Sequence, residues 1–306
     1  MRKFLDVVIL VLIFAAISYI IIQKDTITSL VSDYFTGGNK EIVINKNEYY
    51  RDYDFTFVQN TNDFRPKNKQ DLLNVYYTII NSGESSFTFY CTREYPDCIS
   101  EVQSIANNQS ILSDINNYVH PLNGFSNIET EYDSLGRVTV TIEKSYSKEE
   151  IDMINEKVDL LSETLIKDND SIYNNILRVH DYIINNTIYD SDRSDYNIIK
   201  YKSDIAYGPL FEGYAICGGY TDLMELFLER MGIVSFKVSS DQHIWNAVYY
   251  NDNWLNLDLT WDDPVADDGK NYLEHNFFLI STTKLQSIEK TEHYFDFDVY
   301  KELKEA

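Results

Sequence analysis

The sequence predicts an α+β protein in which a central helix carrying a cysteine packs against an antiparallel sheet carrying a histidine and an aspartate. Three observations support this prediction: an apolar N-terminal run, mixed strand and helix patterns in the first half, and a broadly apolar helix after Cys217 followed by strand patterns. They divide the chain into an N-terminal transmembrane helix at 1–23, a linker at 24–44, a small α/β module at 45–146 and a larger domain at 147–306.

The length and composition fit a folded protein with more than one unit. At 306 residues the chain exceeds most single domains, and a hydrophobic fraction of 44% is ample for a packed core. The formal net charge of −23 argues against nucleic acid as a partner, because phosphate binding requires clustered lysine and arginine, and the sequence has no such cluster.

The N-terminal segment predicts a single-pass membrane anchor. Residues 4–22 are nineteen positions with one charge, Asp6, and at about 1.5 Å per residue a helix of this length spans a hydrocarbon core of roughly 30 Å. Arg2 and Lys3 precede the run, so the positive-inside rule leaves the N-terminus in the cytoplasm and the following domains outside it. A cleaved signal peptide is the alternative, but the run is long for one and no small-x-small cleavage site stands out.

The module at 45–146 is predicted to combine strands with a helix and to carry no catalytic constellation of its own. Its strand patterns lie at 86–90, 128–132 and 137–142, with a helical pattern at 99–119. The last two strands are predicted to form a hairpin. His120 is predicted to be a loop residue.

The three cysteines leave two alternatives open. Cys91 and Cys98 lie seven residues apart, a spacing that can close a small disulfide loop outside the cytoplasm. Two reduced, unpaired thiols are the alternative. If the two pair, Cys217 is left free to act as a nucleophile.

Two helices are predicted at the start of the larger domain. Ser147 and Glu150 have capping-box spacing ahead of an apolar helical pattern that should end near 167–170. A second helix is predicted at about 171–186. His180 lies on its apolar face, where a hydrogen-bonded core histidine is more common than a catalytic one.

The helix after Cys217 is predicted to be the central one. Apolar residues recur around so much of its circumference that it should be buried, and Gly232 ends it. Gly218 and Gly219 permit a close backbone approach at its first turn. Backbone N–H groups at a helix start favour negative charge, so this position favours the thiolate form of Cys217.

Strand patterns follow the central helix, at 234–239, 243–250 and 254–261. Folding the last two strands at residues 250–251 would place His243 and Asp258 nearly opposite each other. A turn centred on Asp252 would shift the register by one or two residues and require a bulge.

The three residue types together predict nucleophilic catalysis. Cys217 would attack an acyl carbon, and His243 would take the thiol proton and later protonate the leaving group. Asp258 would hold the imidazole in the right tautomer and stabilise its cation. The Cys217 N–H would give one oxyanion contact, and Tyr207 is a weak candidate for the second.

Three sequence blocks carry a family resemblance: CGGY at 217–220, HIWN at 243–246 and DLTWDDP at 258–264. They resemble the signature blocks of the transglutaminase-like superfamily, which belongs to the papain-like cysteine enzymes. The match covers about 148–295, including a predicted strand at 276–281. The sequence is also similar to bacterial membrane-anchored transglutaminase/protease-like proteins, including those labelled cytokinesis-related.

The resemblance implies a papain-like/transglutaminase-core fold, with Cys217, His243 and Asp258 as the catalytic triad. Gly218 stands where many relatives carry a bulkier polar residue, a departure that concerns substrate contacts beside the thiol and not the triad. The bacterial relatives and the outside location imply peptide or protein substrates, with cell-envelope proteins or peptidoglycan-linked peptides among them.

The remaining polar residues do not form a predicted metal or cofactor site. His275 and His293 are predicted to be solvated surface residues. No zinc-binding spacing is present. An acidic stretch lacks the EF-hand spacing and is predicted to be a solvated loop: Asp262, Asp263, Asp267 and Asp268.

These observations predict an enzyme that forms a thioester at Cys217. Resolution of the thioester by an amine would make it a transglutaminase, whereas resolution by water would make it a peptidase or amidase, and hydrolysis is the favoured of the two. The alternative is a protein that is not an enzyme: a catalytically silent envelope module that keeps the fold for binding or scaffolding. The sequence does not determine the oligomeric state.

Overall fold

The computed structural model describes residues 9, 13–15, 17–24, 42–264 and 272–304. After the helical N-terminal residues, the helices are α1 (Lys69–Ser82), α2 (Cys98–Ala106), α3 (Gln109–Asn117), α4 (Lys148–Leu165), α5 (Ile172–Asn185), α6 (Ser191–Tyr196), α7 (Cys217–Arg230) and α8 (Thr282–Ile288). The strands are β1 (Ser86–Tyr90), β2 (Phe125–Tyr132), β3 (Arg137–Lys144), β4 (Ile188–Tyr189), β5 (Tyr214–Ala215), β6 (Ser235–Ser239), β7 (Ile244–Tyr250) and β8 (Asn253–Leu257). The fold is therefore mixed α+β, with two antiparallel three-stranded sheets and a short parallel pair.

Most of the predicted anchor and linker lies outside the described residues. Within the anchor, residues 9, 13–15 and 17–22 are described, and they are helical. Across the positions that the structure describes, no helix is both long enough and apolar enough to cross a membrane.

The first sheet has the order β1-β3-β2, with both pairs antiparallel. β1 coincides with the strand predicted at 86–90, and β2 and β3 form the predicted hairpin. Gly136 in the hairpin turn has a φ of 97°, and a Cβ there would lie 2.4 Å from the carbonyl oxygen of Cys91. Glycine is therefore required at this position both for its conformation and for the space it leaves.

The helical pattern predicted at 99–119 is wrong as a single helix. It is divided into α2 and α3, because Asn108 caps α3 by accepting two backbone N–H groups with its side-chain oxygen. Short polar side chains that bond to the nearby backbone compete with helix continuation in this way. α1 has no counterpart in the sequence prediction, although Asn68 at its N-cap and Gly83 after its last residue mark both boundaries.

The two alternatives for Cys91 and Cys98 are resolved in favour of a disulfide. The two sulfurs are bonded, and the Cα atoms lie 5.7 Å apart. The bond joins the segment after β1 to the first turn of α2. Cys217 is the free thiol of the chain.

The first two helices of the larger domain begin where the sequence predicts, whereas α6 and α8 were not predicted. Ser147 and Glu150 form the predicted capping box of α4, and Ser171 caps α5. α4 ends at Leu165, slightly before the predicted end. α7 is the central helix: it packs against α4 and α5 and against β6 and β7, and ten of its fourteen residues are buried.

The second sheet has the order β6-β7-β8, and both pairs are antiparallel. β7 and β8 are joined by Asn251 and Asp252, which both have positive φ, at 51° and 62°. Two consecutive residues in this conformation make the tight turn whose twist suits a β-hairpin.

The strand predicted at 276–281 is wrong. Residues 276–279 form a turn, and within the described part of the segment only Ile280 makes a bridge, to Asn256. The backbone of Phe277 is held instead by the ends of the neighbouring loop: its N–H donates to Asp262 Oδ1 (3.0 Å), and its carbonyl accepts the N–H of Asp258 (3.1 Å).

A buried ion pair joins the N-terminal part of the chain to the central helix. The Arg51 guanidinium contacts the Glu225 carboxylate on α7, and it also donates to the carbonyl oxygens of Tyr118 and Ser235, each at 3.2 Å. The side chain of Glu225 is fully buried. Because Tyr118 also stacks on Phe236 of β6, at 4.8 Å between ring centroids, this contact is apolar as well as ionic.

We expect Arg51→Met to lower the free energy of unfolding by about 3–5 kcal/mol, because it leaves a buried carboxylate without its cation. The double variant Arg51→Met/Glu225→Leu should recover most of this loss, since the unpaired charge is then absent. Urea denaturation of both variants measures the difference. Lys148→Met, which breaks an exposed pair with Asp152, is the control and should leave the free energy of unfolding almost unchanged, because water screens that pair. A double variant no more stable than the single one would contradict the expectation.

Candidate active site

Cys217 is the first residue of α7, and short backbone contacts fix its position. β5 leads into the helix, and the Ile216 N–H donates to the carbonyl oxygen of Ser203 (2.8 Å). A Cβ on Gly219 would lie 2.4 Å from that same carbonyl oxygen, and one on Gly218 would lie 2.6 Å from the carbonyl of Asp204. The two glycines therefore let the loop before α7 lie directly against its first turn, as the sequence predicts.

His243 and Asp258 meet, but not through the register that the sequence predicts. β7 and β8 pair Asn246 with Leu257, so Asp258 lies two positions away from the point opposite His243. The turn is at Asn251 and Asp252, and the described register contains no bulge. The two side chains meet because His243 lies just before β7 and Asp258 just after β8, where the backbone leaves the sheet. His243 Nε2 is 2.5 Å from Asp258 Oδ2.

Asp258 is fully buried and both of its oxygens are hydrogen-bonded. Oδ1 accepts the N–H groups of Thr260 (2.9 Å) and Trp261 (3.2 Å), and Oδ2 faces the Nε2 atoms of His243 and His293. Burial raises the pKa of the Asp258 carboxyl. The charge and hydrogen bond of His243, together with the hydrogen bond of His293, lower this pKa by more than burial raises it. The net result is a pKa well below the ordinary range, so Asp258 is a carboxylate.

The electrostatics of His243 favour its charged form. Burial lowers the pKa of its imidazole, but the negative charge and hydrogen bond of Asp258 outweigh that effect, and a hydrogen bond with Cys217 adds to it, so the pKa rises to about 10. Because Nε2 faces Asp258, Nδ1 is the nitrogen left for the thiol. The structure therefore brings together all three residues that the sequence singled out.

The prediction that His293 is a solvated surface residue is wrong. Its side chain is fully buried, with Nε2 at 2.8 Å from Asp258 Oδ2 and Nδ1 at 2.9 Å from Glu289 Oε2. Its ring stacks on Phe277, at 5.4 Å between centroids. The segment around His293 has no helical or strand period to indicate burial. The available signal is Glu289 four residues earlier, whose carboxylate accepts three backbone N–H groups and turns the chain inward.

The three other histidines contact groups outside the Cys217–His243–Asp258 arrangement. His180 is a buried, hydrogen-bonded core histidine, as predicted: Nδ1 lies 3.0 Å from Asp181 Oδ1, and Nε2 lies 3.3 Å from Asp262 Oδ2. His120 is outside helices and strands, as predicted, but it is buried and accepts a backbone N–H with Nδ1. His275 is exposed, as predicted, and faces Asp181 Oδ1 at 2.8 Å.

The prediction of a solvated acidic loop is wrong for Asp262 and Asp263. Asp262 is fully buried, and Asp263, also buried, accepts a hydrogen bond from the Tyr220 hydroxyl of α7. Burial raises the pKa of the Asp263 carboxyl to about 6, even though the bond from Tyr220 lowers it. Asp267 and Asp268 lie outside the described residues.

Cys217 and His243 open into a cleft of about 440 Å³. Polar side chains dominate its lining, which includes Tyr189, Arg193, Ser194, Asn197, Gln242, Thr260, Trp261 and Glu292. Tyr207, the weak candidate for the second oxyanion donor, does not line this cleft and packs on Phe211 instead, at 4.8 Å between ring centroids. The amide of Gln242 and the hydroxyl of Tyr189 are side-chain donors that do line it.

Two groups in the described part of the chain have the composition of a metal site: His180 with Asp181 and His275, and His243 with Asp258 and His293. In each group the possible ligand atoms lie within 4.8 Å of one another. Both groups are joined internally by hydrogen bonds, and the second is the network that surrounds Asp258.

The raised pKa of His243 links stability to pH. The folded state holds this proton more tightly than the unfolded chain, in which a histidine has a pKa of about 6.5. The stabilisation is therefore fully present below that pH and is lost as the pH rises through about 10. We expect the difference in unfolding free energy between the protein and its His243→Gln variant to shrink between about pH 7 and about pH 10.5, measured by urea denaturation. A difference that does not change with pH would contradict this, and His275→Gln, which changes a histidine away from Asp258, is the control.

Comparisons with known proteins give a limited result. No protein-family model matches the sequence, and no curated protein matches it either. Among solved structures, the chain is similar to a protein described as a TGase, with 13% identity and a TM-score of 0.32 over 48% of each chain. It is also similar to a chain from Cytophaga hutchinsonii described as a cysteine protease, with 15% identity and a TM-score of 0.28 over 44% of this chain and 61% of that one.

Proposed function

We propose that the protein is a membrane-anchored cysteine enzyme that acts outside the cytoplasm on peptide or protein amides, through a thioester on Cys217. One observation carries the proposal: His243 lies 2.5 Å from the buried carboxylate of Asp258 and lines one cleft with the free thiol of Cys217, which helps to raise the pKa of its imidazole. A thiol, an imidazole and a carboxylate in this order are the groups that covalent acyl transfer requires.

In the first half of the reaction, the proton of the Cys217 thiol is already on His243, whose charged form the surroundings favour, and the thiolate attacks the carbonyl carbon of the amide. The oxyanion that forms lies near the Cys217 N–H, which has no partner within the helix because it belongs to the first turn. When the C–N bond breaks, His243 gives the proton to the leaving amine. The acyl group then remains on the sulfur as a thioester.

In the second half, water or an amine attacks the thioester carbon, and His243 takes a proton from the attacking group. The C–S bond breaks, and the sulfur leaves as thiolate beside the imidazolium. Water gives a free acid, and an amine gives a new amide. We favour hydrolysis, because the cleft around Cys217 is lined mainly by polar side chains that are compatible with bound water.

The location outside the cytoplasm has independent support from the disulfide. Cys91 and Cys98 are bonded, and such bonds persist mainly in oxidising compartments. With the apolar run at 4–22 as an anchor, the enzyme would face the cell envelope, and envelope proteins or peptidoglycan-linked peptides would be its substrates.

Alkylation of Cys217 tests the catalytic pair without a known substrate. We expect iodoacetamide to modify Cys217 at about pH 6.5, well below the pH of about 8.5 at which an ordinary cysteine ionises. His243→Ala should slow the reaction at that pH by about tenfold or more, because the proton acceptor is lost. Mass spectrometry of the modified chain gives the rate. Cys91 and Cys98 do not interfere while bonded, and His275→Gln is the control. Equal, slow labelling of the protein and the His243 variant would instead favour a catalytically silent envelope module.

Product analysis distinguishes the two chemistries. We expect the part of the chain after the predicted anchor to convert envelope peptides into products with free acids or new peptide termini. This reaction should not require an added amine. Mass spectrometry with and without a primary amine identifies the products, and Cys217→Ala should abolish them. Amine adducts as the main product would show that the acceptor is an amine and not water.

A further inference from the structure

Behind the His243–Asp258 pair lies a second histidine that the reaction above does not use. His293 Nε2 is 2.8 Å from Asp258 Oδ2, the same oxygen that faces His243. Its Nδ1 is 2.9 Å from Glu289 Oε2. In space, His243, Asp258, His293 and Glu289 thus form a continuous row of alternating imidazoles and carboxylates. The His243 end of this row lies beside Cys217.

The geometry fixes how many protons His293 holds. A neutral imidazole has one N–H and one bare nitrogen, and the bare nitrogen cannot bond to a carboxylate oxygen, since both atoms only accept. Both ring nitrogens of His293 lie within 2.9 Å of a carboxylate oxygen. In support, burial raises the pKa of Glu289, but the bonds from His293 and from backbone N–H groups lower it to about 2, so Glu289 is ionised as Asp258 is.

The surroundings of His293 hold it in this state. Among the residues that the structure describes, the titratable groups that face it are Asp258, Glu289 and His243, and the rings of Trp245, Trp261 and Phe277 form the other walls. The site is closed to solvent, because the His293 side chain has no exposed area. A charge in such a place acts strongly on its neighbours, since water does not screen it.

We propose that His293 is a positioning residue: an imidazolium that bonds to Glu289, shares Asp258 with His243 and sets the pH range in which the Cys217–His243 pair works. The proposal rests on the function proposed above. Its physical basis is that a nearby positive charge makes every proton loss from that pair easier, whereas a nearby negative charge makes it harder. The ring centroids of His243 and His293 are 5.2 Å apart, so the effect should be measurable.

The test is the pH dependence of Cys217 alkylation by iodoacetamide in the full chain and three variants. His293→Gln removes the cation and keeps one amide donor, so the profile should move to higher pH by roughly one to two units. Glu289→Gln removes an anion and keeps an acceptor for His293, so the profile should move to lower pH. This shift should be smaller than that of His293→Gln, because Glu289 lies one residue further along the row from Cys217. His275→Gln changes a histidine that does not contact Asp258, so its profile should match that of the unaltered protein.

Opposite shifts in the two variants distinguish the proposal from a packing role, which would lower stability or slow labelling without moving the profile in opposite directions. Two unshifted profiles, or two shifts in the same direction, would overturn the proposal. If His293→Gln does not fold, the Glu289→Gln shift and the ¹⁵N spectrum of the histidines in the unaltered protein decide. A neutral His293 at about pH 7 would overturn the proposal.

Failure of the proposed function has a different signature. In that case the unaltered protein would label slowly at about pH 6.5, and His243→Ala would label at the same rate. Suppose instead that the unaltered protein labels fast at about pH 6.5 and His243→Ala labels slowly, but the profiles of His293→Gln and Glu289→Gln do not shift. The proposed function then stands, and only the role of His293 is lost.

Discussion

The arrangement of the candidate site depends on the hydrogen bonds and ion pairs made by the carboxylate of Asp258. It accepts hydrogen bonds from its own turn, at Thr260 and Trp261, and faces two imidazoles. Its backbone N–H also donates to the carbonyl of Phe277. A buried charge is tolerated only when it is paired and fully hydrogen-bonded, so the segments that supply these partners must all be in place at once.

This requirement makes the site a property of the whole fold. The hairpin of β7 and β8 brings His243 to one side of Asp258, and the chain after α8 returns to bring His293 to the other side. α7 presents Cys217 in front of His243. α7 is in turn joined to the N-terminal part of the chain by the Arg51–Glu225 pair and to β6 by the buried Asp222–Lys237 pair, at 2.9 Å. Polar contacts of this kind fix position as well as energy, because each is costly to leave half-formed.

Much of the fold was accessible to the sequence because local signals specify it. The capping box at Ser147 and Glu150, the strand at 86–90 and the hairpin after it were all predicted, and each depends on residues close in the chain. The errors have two different physical origins. The helix at 99–119 was divided by a local cap at Asn108, which the apolar period conceals. The strand at 276–281 is a turn, because its apolar residues are buried by packing and its backbone is bonded to the loop at 258–262.

For the candidate site, residue type and order along the chain were enough to predict three residues that meet in the structure: a free cysteine at a helix start, followed by a histidine and an aspartate flanking a hairpin. Residue type and order are local information, and they were sufficient to single out Cys217, His243 and Asp258. Only the tertiary structure decided the two-residue displacement in register, the disulfide and the burial of His293 against Asp258. These depend on contacts between segments far apart in the chain, and hydrophobic periodicity along one segment contains no information about which distant groups will meet it.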